Sequence, residues 1–309
     1  MRLNKEYISL FTDISGNNIG LLSYSLGNGS PKAYIQGGIH GGETTYWIFT
    51  RLARILKNAR VNGSITLVPI SNPVSWDQKF YSYTVGKFSL TDGKDFNRNF
   101  PGSLTGSLNE RIASKINEIA LRSDMVIDLH TANKCVPYSI ITDKKQLKWV
   151  KSANFKYTML HYFKDKNNSP LTSSATLNGK ISIALECGSH DIYDSKHINR
   201  CVDGILRILK KTGVIEYKSL YTNQKQYYSD TLNKYLAPES GFVKYIVKPG
   251  ETCTKDQILC TIYSSKSLTK ITKICSREDG VVLLASKTHI VSEGDYLFEI
   301  IPSKTLKSY

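Results

Sequence analysis

The 309-residue sequence has no run of eighteen apolar residues, which is about the length that a membrane-spanning helix requires. The N-terminal segment MRLNKEYISLF carries Glu6 where a secretion signal needs an unbroken apolar core. We therefore expect a cytoplasmic protein with no membrane partner. The apolar share of 40% and the charged share of 22% are ordinary for globular domains, which excludes disordered and collagen-like chains.

The sequence also lacks any CxxC pair or regular cysteine spacing, so we expect neither a disulfide framework nor a cysteine-bound structural zinc. Reduced, mostly buried thiols are the simpler prediction. The cysteines are Cys135, Cys187, Cys201, Cys253, Cys260 and Cys275.

Acidic residues are in the minority, because 41 Lys and Arg against 26 Asp and Glu give a formal net charge of +15. The lysines are scattered, and no RNP-like or zinc-finger pattern accompanies them. A nucleic-acid binder is therefore the weaker interpretation, and we expect no nucleic-acid partner. A simpler interpretation of the charge is a positive field that draws small anionic substrates into a cleft. A generally basic proteome would explain the charge with no functional role at all.

Apolar strand-like runs alternate with amphipathic helical patterns over the first two thirds of the chain. After a hairpin over 6–25, the pattern predicts strands at 33–37, 65–70, 124–129, 138–142 and 181–186, and helices at 44–58, 107–121, 144–153 and 195–210. Ser107 and Glu110 predict a capping box, and residues 71–102 a long loop. This alternation is typical of an α/β fold with a largely parallel sheet, whose ligands gather at the strands' carboxyl ends.

From about residue 217 the pattern changes to short strands separated by glycine turns, as in GFVKYIVKPGE and VSEGDYLFEI. We therefore predict two domains, with an α/β domain over 1–216 and a small β domain over 217–309. The chain length agrees with two domains.

The stretch IQGGIHGGETTYW places His40 and Glu43 three residues apart in a glycine-rich turn after a predicted strand. His130 follows another predicted strand in VIDLHTA. Two imidazoles and a carboxylate leave one coordination position of zinc open, which is the arrangement of hydrolytic zinc sites. Taken alone, the first pair is more simply a turn histidine beside a glutamate that starts a helix.

Two further features have the same ambiguity. The loop DGKDFNRNFPG carries Asn97 and Arg98, where a planar guanidinium beside an amide suits a carboxylate, although a loop arginine is usually solvated. Glu186 ends the apolar run ISIAL, where a carboxylate is either an inward-facing general base or a polar strand terminus. Neither feature decides a function by itself.

Together these motifs resemble the succinylglutamate desuccinylase and aspartoacylase family, which is related to the zinc carboxypeptidases. The resemblance runs from about residue 32 to 300 and rests on HGGE, DFNR with FPG, DLHTA and ECG in the family's order. It implies a three-layer α/β/α zinc-peptidase-like domain with a mixed, largely parallel sheet. It also implies a C-terminal β domain similar to biotinyl and lipoyl carriers, which is barrel-sandwich-like. No lysine lies in the carrier's acceptor context, so we expect this domain to shape or cap the site.

The resemblance implies that the Zn²⁺ ligands are His40, Glu43 and His130. It also implies that Asn97 and Arg98 bind a substrate carboxylate and that Glu186 is the general base. The expected activity is zinc-dependent hydrolysis of the amide bond of an N-acyl amino acid or a similar small carboxylated amide. A metallocarboxypeptidase acting on short peptides is one alternative, and a non-catalytic zinc-containing binding protein is another. Asp128, two residues before His130 on the same strand face, is expected either to hydrogen-bond near the site or to be structural.

One motif departs from the family. Where relatives carry an arginine before the Asp-Gly of the loop, this chain reads Gly-Lys87-Phe, and no arginine lies between Arg60 and Arg98. We expect Lys87 to face the developing oxyanion as a point charge, with a solvated loop lysine as the alternative. Lys79 and Lys94 are the other cations of this loop.

Overall fold

The computed structural model describes residues 3–80, 83–190 and 192–309. The first elements are β1 (Asn4–Thr12), β2 (Asn18–Gly27), β3 (Lys32–Gly37), α1 (Tyr46–Leu56), β4 (Ser64–Val68), α2 (Pro73–Asp77), β5 (Lys79–Phe80) and β6 (Tyr83–Thr84). β1 and β2 form the predicted antiparallel hairpin. Its turn is held by Asp13, whose carboxylate accepts the backbone N–H groups of Ser15 and Asn17.

The middle of the chain continues the alternation of helices and strands. Its elements are α3 (Leu108–Leu121), β7 (Met125–Ala132), β8 (Lys134–Cys135), β9 (Tyr138–Ile141), α4 (Leu147–Val150), β10 (Tyr157–Leu160), α5 (Leu171–Leu177), β11 (Ile181–Ser189) and α6 (Ser195–Lys211). The predicted capping box is confirmed, because Ser107 and Glu110 exchange both hydrogen bonds at the start of α3.

The last part is all β apart from one short turn of 3₁₀ helix. Its strands are β12 (Tyr227–Ser229), β13 (Asn233–Leu236), β14 (Gly241–Tyr245), β15 (Thr252–Cys253), β16 (Ile258–Tyr263), β17 (Lys270–Cys275), β18 (Gly280–Ala285), β19 (Ile290–Val291), β20 (Tyr296–Pro302) and β21 (Lys307–Ser308).

A ten-stranded mixed sheet organises the fold, with the order β1-β2-β4-β3-β7-β11-β9-β10-β12-β21. Its centre, β4-β3-β7-β11, is parallel. Successive residues of β3 point to opposite faces of the sheet, because Ala33 and Ile35 belong to a core shared with α1 and α6, whereas Tyr34 belongs to a core shared with α3 and α5. The predicted mixed α/β fold is therefore confirmed.

Two antiparallel sheets form in the C-terminal part, with the orders β13-β20-β18-β15 and β17-β16-β14-β19. They enclose their own apolar core, which includes Leu259, Leu297 and Phe298. The C-terminal part is joined to the rest through main-chain pairing, because β8 pairs with β18, while β12 and β21 extend the large sheet. The boundary between residues 216 and 217 stays a prediction.

Several elements differ from the sequence-based expectation. The helix predicted at 144–153 consists of α4 between two short 3₁₀ turns, and it ends at Asn154 in the left-handed conformation. The loop predicted at 71–102 contains α2 and the β5–β6 hairpin. α5 was missed because its sequence, LTSSATL, buries Thr172, Ser173 and Ser174, so it has no apolar period to recognise.

The six cysteines are free thiols, five of them buried, which agrees with the prediction. Among the described residues, no helix combines the length and the apolar composition needed to cross a membrane.

Candidate active site

The candidate site lies at the carboxyl ends of three parallel neighbours, β3, β7 and β11. In the register of these strands Gly37 lies opposite Leu129, and His130 lies opposite Glu186. The sheet therefore brings together the HGGE turn after β3, the end of β7 and the end of β11, as the alternating pattern predicts. We call His40, Glu43, His130 and Glu186 the cavity floor.

The glycines of the HGGE turn allow a close approach of three segments. A Cβ atom on Gly41 would lie 2.0 Å from the carbonyl oxygen of Ser75, and one on Gly86 would lie 1.9 Å from the same oxygen. The Gly41 N–H donates to the Gly86 carbonyl at 2.9 Å. Because only glycine fits at both positions, the turn that carries His40 and Glu43 is fixed against the loop that carries Lys87.

His40, Glu43 and His130 are all buried, with exposures of 4%, 5% and 6%. The Nδ1 atom of His40 lies 2.8 Å from one carboxylate oxygen of Glu43, and the Nδ1 atom of His130 lies 3.0 Å from the other. One donor atom from each residue lies within 4.8 Å of the other two. The structure therefore brings together the three residues predicted as metal ligands.

A second carboxylate lies behind each imidazole. His40 Nε2 is 2.8 Å from Asp95 Oδ1, and His130 Nε2 is 2.9 Å from Asp128 Oδ2. Gln36 in turn donates to the other oxygen of Asp128 at 2.9 Å. These contacts fix the ring orientations so that both Nδ1 atoms face Glu43, which is how carboxylates orient imidazole ligands of metals.

Electrostatics in this group favour charged forms. Burial lowers the pKa of His40 and of His130, but nearby carboxylates outweigh burial and leave both pKa values raised, that of His130 well above its usual range. Burial also opposes ionisation of Asp95, yet the contact with His40 lowers its pKa to about 2. The two imidazoles likewise hold the pKa of Glu43 below its usual value.

This donor set fits zinc. Two imidazole nitrogens and one carboxylate are a ligand set of catalytic zinc sites, and a carboxylate behind each imidazole is the usual outer support. All three side chains are buried and their donor atoms converge, so this group could hold one metal ion.

Glu186 has the feature expected of a general base. Its Oε2 atom is buried without a hydrogen-bond partner. Burial raises the pKa of Glu186 to about 7, with the nearby Glu43 raising it further and His130 and Lys87 opposing the rise. An unpaired carboxylate oxygen on the cavity floor is compatible with a general base, and this role of Glu186 stays a prediction.

Asn97 and Arg98 differ in burial and in their hydrogen-bond partners. Asn97 is 3% exposed, its amide nitrogen donates to Asp128 at 3.1 Å, and its amide oxygen accepts the N–H of Leu171 at 3.1 Å. Arg98 is half-buried, and its guanidinium lies 5.0 Å from the centre of the Phe163 ring while donating to the Asn97 carbonyl. Both residues line the cavity, and Asn97 also holds Asp128 beside His130.

Lys87 is the only one of Lys79, Lys87 and Lys94 that lines the cavity among the described residues. Lys87 is exposed, and its positive charge works to lower the pKa values of Asp95, Glu186 and Glu299. The charge of Lys94 works instead to lower the pKa of Asp92. This placement agrees with the position predicted for Lys87, while its catalytic role stays a prediction.

A cavity of about 510 Å³ lies over the floor. Sequence reasoning missed part of its lining, which we call the C-terminal wall: Leu284, Lys287, Tyr296 and Glu299. It also assigned no role to Asp95 or His161. The signal for Asp95 was its place two residues before Asn97 in the DFNR motif, whereas a single glutamate within an apolar strand gives no signal.

Comparison with known proteins decides the family. The profile of the succinylglutamate desuccinylase/aspartoacylase catalytic domain matches residues 29–212. The chain belongs to this family. A curated relative is the N-alpha-acetyl-L-2,4-diaminobutyric acid deacetylase of Halomonas elongata, which is 26% identical over 284 residues, 86% of this chain and 80% of that protein.

Solved structures of the family share the fold over the whole chain. A family protein from Shewanella amazonensis has a TM-score of 0.88 at 22% identity, over 99% of this chain and 100% of its own. The product-bound ectoine utilization protein EutE (DoeB) from Ruegeria pomeroyi has a TM-score of 0.82 at 16% identity, over 97% and 95%. The C-terminal part therefore belongs to the shared fold, beyond the matched catalytic domain.

Proposed function

We propose that the chain is a zinc-dependent hydrolase that cleaves the amide bond of an N-acyl amino acid or a similar small carboxylated amide. The observation that carries the proposal is the unpaired carboxylate oxygen of Glu186, which is buried beside His40, Glu43 and His130 in the cavity. The Halomonas relative, named for the deacetylation of an N-acetyl amino acid, supports this substrate class.

His40 and His130 would hold the metal through their Nδ1 atoms, and Glu43 would hold it through its carboxylate. Bound zinc lowers the pKa of water and polarises a carbonyl group. Asp95 and Asp128 lie at hydrogen-bond distance from the Nε2 atoms, and by accepting from them they would leave each Nδ1 atom free to bind the metal.

Glu186 is the proton carrier of the proposed reaction. It takes a proton from the attacking water and passes it to the leaving amine, which converts a poor leaving group into a neutral one. A pKa of about 7 suits both steps, because the carboxylate can accept the proton and release it again near neutral pH.

Arg98 binds the substrate carboxylate. Its guanidinium is held against Phe163 and by the backbone carbonyl of Asn97, so that its planar fork is oriented before the substrate arrives. His161 lines the same part of the cavity, and burial and the charge of Arg98 lower its pKa. The prediction that Asn97 also touches the substrate stays a prediction.

Lys87 supplies the second positive charge. As water adds to the amide, negative charge develops on the former carbonyl oxygen, and a pre-placed cation stabilises it. The glycine contact between Gly41 and Gly86 supports this role, because it fixes the backbone next to Lys87 against the metal-ligand turn.

The proposal includes the finer predictions made from the sequence. Helices on both faces of the large sheet support a three-layer, zinc-peptidase-like arrangement, and the two C-terminal sheets support a barrel-sandwich-like domain. The free thiols support a cytoplasmic location.

The test is an assay of the zinc-loaded protein on three matched panels: N-acyl amino acids, their analogues with the carboxylate replaced by a neutral amide, and dipeptides. We expect N-acyl amino acids to be hydrolysed fastest, with activity lost on chelation and restored by zinc. Preferential hydrolysis of dipeptides would replace the proposal with a carboxypeptidase. Zinc binding without turnover on any panel would favour a binding protein.

A further inference from the structure

The C-terminal wall is held rigidly against the cavity floor. Leu284 pairs with Cys135 and Ala285 with Lys134, so that β18 is hydrogen-bonded to a strand that directly follows β7, the strand of His130. The wall is therefore part of the binding site rather than a separate module.

Four carboxylates line the cavity among the residues that the structure describes. They are Glu43, Asp95, Glu186 and Glu299. The first two face the imidazoles, and Glu186 is the proposed base. Glu299, on the C-terminal wall, has no part in the proposed reaction.

The charge of Glu299 is incompletely balanced within the protein. Its side chain is 18% exposed, and the nearest ion-pair atom, Lys234 Nζ, lies 3.9 Å away on a side chain that is 68% exposed. That separation is beyond hydrogen-bond distance. Burial raises the pKa of Glu299, and the opposing charges of Lys234 and Lys87 do not cancel the rise. A partly buried carboxylate whose ion-pair partner stays 3.9 Å away gains from a cationic ligand that approaches to hydrogen-bond distance.

We propose that Glu299 is a specificity-determining residue that receives a positively charged amino group on the substrate's side chain. The substrate class is then an N-acyl derivative of a diamino acid, with its carboxylate on Arg98 and its free ammonium on Glu299. The inference rests on the proposed function, because it takes the amide carbonyl to lie over the cavity floor.

The cavity offers two poles for such a substrate. Arg98 forms the cationic side, and the charge of Lys234 works to lower the pKa of both His161 and Glu299. Arg98 and Glu299 line the same cavity, so one substrate can meet both groups. A neutral side chain of the same length would leave the Glu299 carboxylate without a hydrogen-bond partner from the ligand.

The first experiment compares Nα-acetyl-2,4-diaminobutyrate with Nα-acetylnorvaline, whose side chain is apolar and of matched length. We expect the wild type to prefer the cationic substrate. Glu299→Gln should lower kcat/KM on that substrate on the order of 10-fold or more, mainly through KM, and should lower it far less on the neutral substrate. Glu293→Gln, at an exposed turn of the same region, is the control and should change neither.

A binding measurement separates this inference from the proposed function. Calorimetry with free 2,4-diaminobutyrate and with norvaline requires no turnover. The inference predicts tighter binding of the diamino acid to the wild type and equal binding of both ligands to Glu299→Gln. Equal binding to the wild type would overturn it, as would a Glu299→Gln loss that is the same for both ligands. Tighter diamino-acid binding without hydrolysis of any amide would uphold the subsite and overturn the proposed function.

Discussion

The cavity floor comes from the carboxyl ends of parallel strands, whereas the C-terminal wall comes from strands of an antiparallel sheet. His40 and Glu43 lie in the turn after β3, whereas His130 and Glu186 pair with each other near the carboxyl ends of β7 and β11. Glu299 lies inside β20 and pairs with Lys234 on one side and Leu284 on the other.

The comparison separates two kinds of functional residue. His40, Glu43 and His130 are supported by neighbours that fix their orientation, such as Asp95 and Asp128. Such a group can perform the same chemistry on many substrates. Lys234 lies beyond hydrogen-bond distance of Glu299, which lines the cavity. In the proposals made above, the floor sets the reaction and the wall sets the substrate.

Glu186→Gln removes a proposed catalytic group of the cavity floor and does not change the C-terminal wall. The substitution preserves shape but removes the group that accepts a proton, so turnover should fall on the order of 10²- to 10⁴-fold on every substrate. Zinc content should be unchanged, since Glu186 is not a proposed ligand. Glu216→Gln, on an exposed side chain, is the matched control. A variant with near-wild-type turnover would remove Glu186 from the mechanism.

Lys87→Ala tests whether a loop lysine takes part in the reaction together with the residues of the cavity floor. Loss of a pre-placed cation at the oxyanion should lower kcat on the order of 10²- to 10³-fold with zinc retained, whereas loss of a solvated lysine would change almost nothing. Lys87→Arg should keep the activity. Steady-state kinetics of Lys79→Ala and Lys94→Ala supply the controls, and a larger loss in either would move the charge elsewhere in the loop.

Arg98→Lys tests whether Arg98 binds the carboxylate that all substrates share, in contrast to the proposed role of Glu299 in substrate specificity. The variant keeps the charge but loses the planar fork, so kcat/KM should drop about 10-fold on carboxylated substrates, cationic and neutral alike. Uncharged amide analogues should be little affected. Arg111→Lys on the exposed side of α3 is the control. An equal loss on carboxylated and uncharged substrates would point to a structural role.

The sequence predicts the floor better than the wall for a physical reason. A histidine and a glutamate three apart in a glycine turn, or a histidine directly after a buried strand, are unusual combinations with a chemical explanation. In β20 the glutamate stands alone between two apolar residues on each side, and a single polar residue in a strand also fits a solvent-facing position. Whether Glu299 meets water or a cavity depends on the β8–β18 pairing, which local sequence does not encode.

The same distinction applies to the fold. Long amphipathic segments such as α3 and α6, and apolar strands such as β7, were predicted within a few residues. α5 was missed because it buries hydroxyl-bearing side chains against β11, and β10 because four residues carry too little periodicity.

The most direct test of the account is the zinc content of the wild type and of His130→Ala, measured by elemental analysis after purification and zinc loading. The account predicts one zinc per wild-type chain and loss of most of it in the variant, because three ligands are reduced to two. His289→Ala, which changes an exposed histidine of the C-terminal part, should retain the metal. Undiminished zinc in a folded His130→Ala protein would contradict the ligand assignment and, with it, the proposed reaction at the cavity floor.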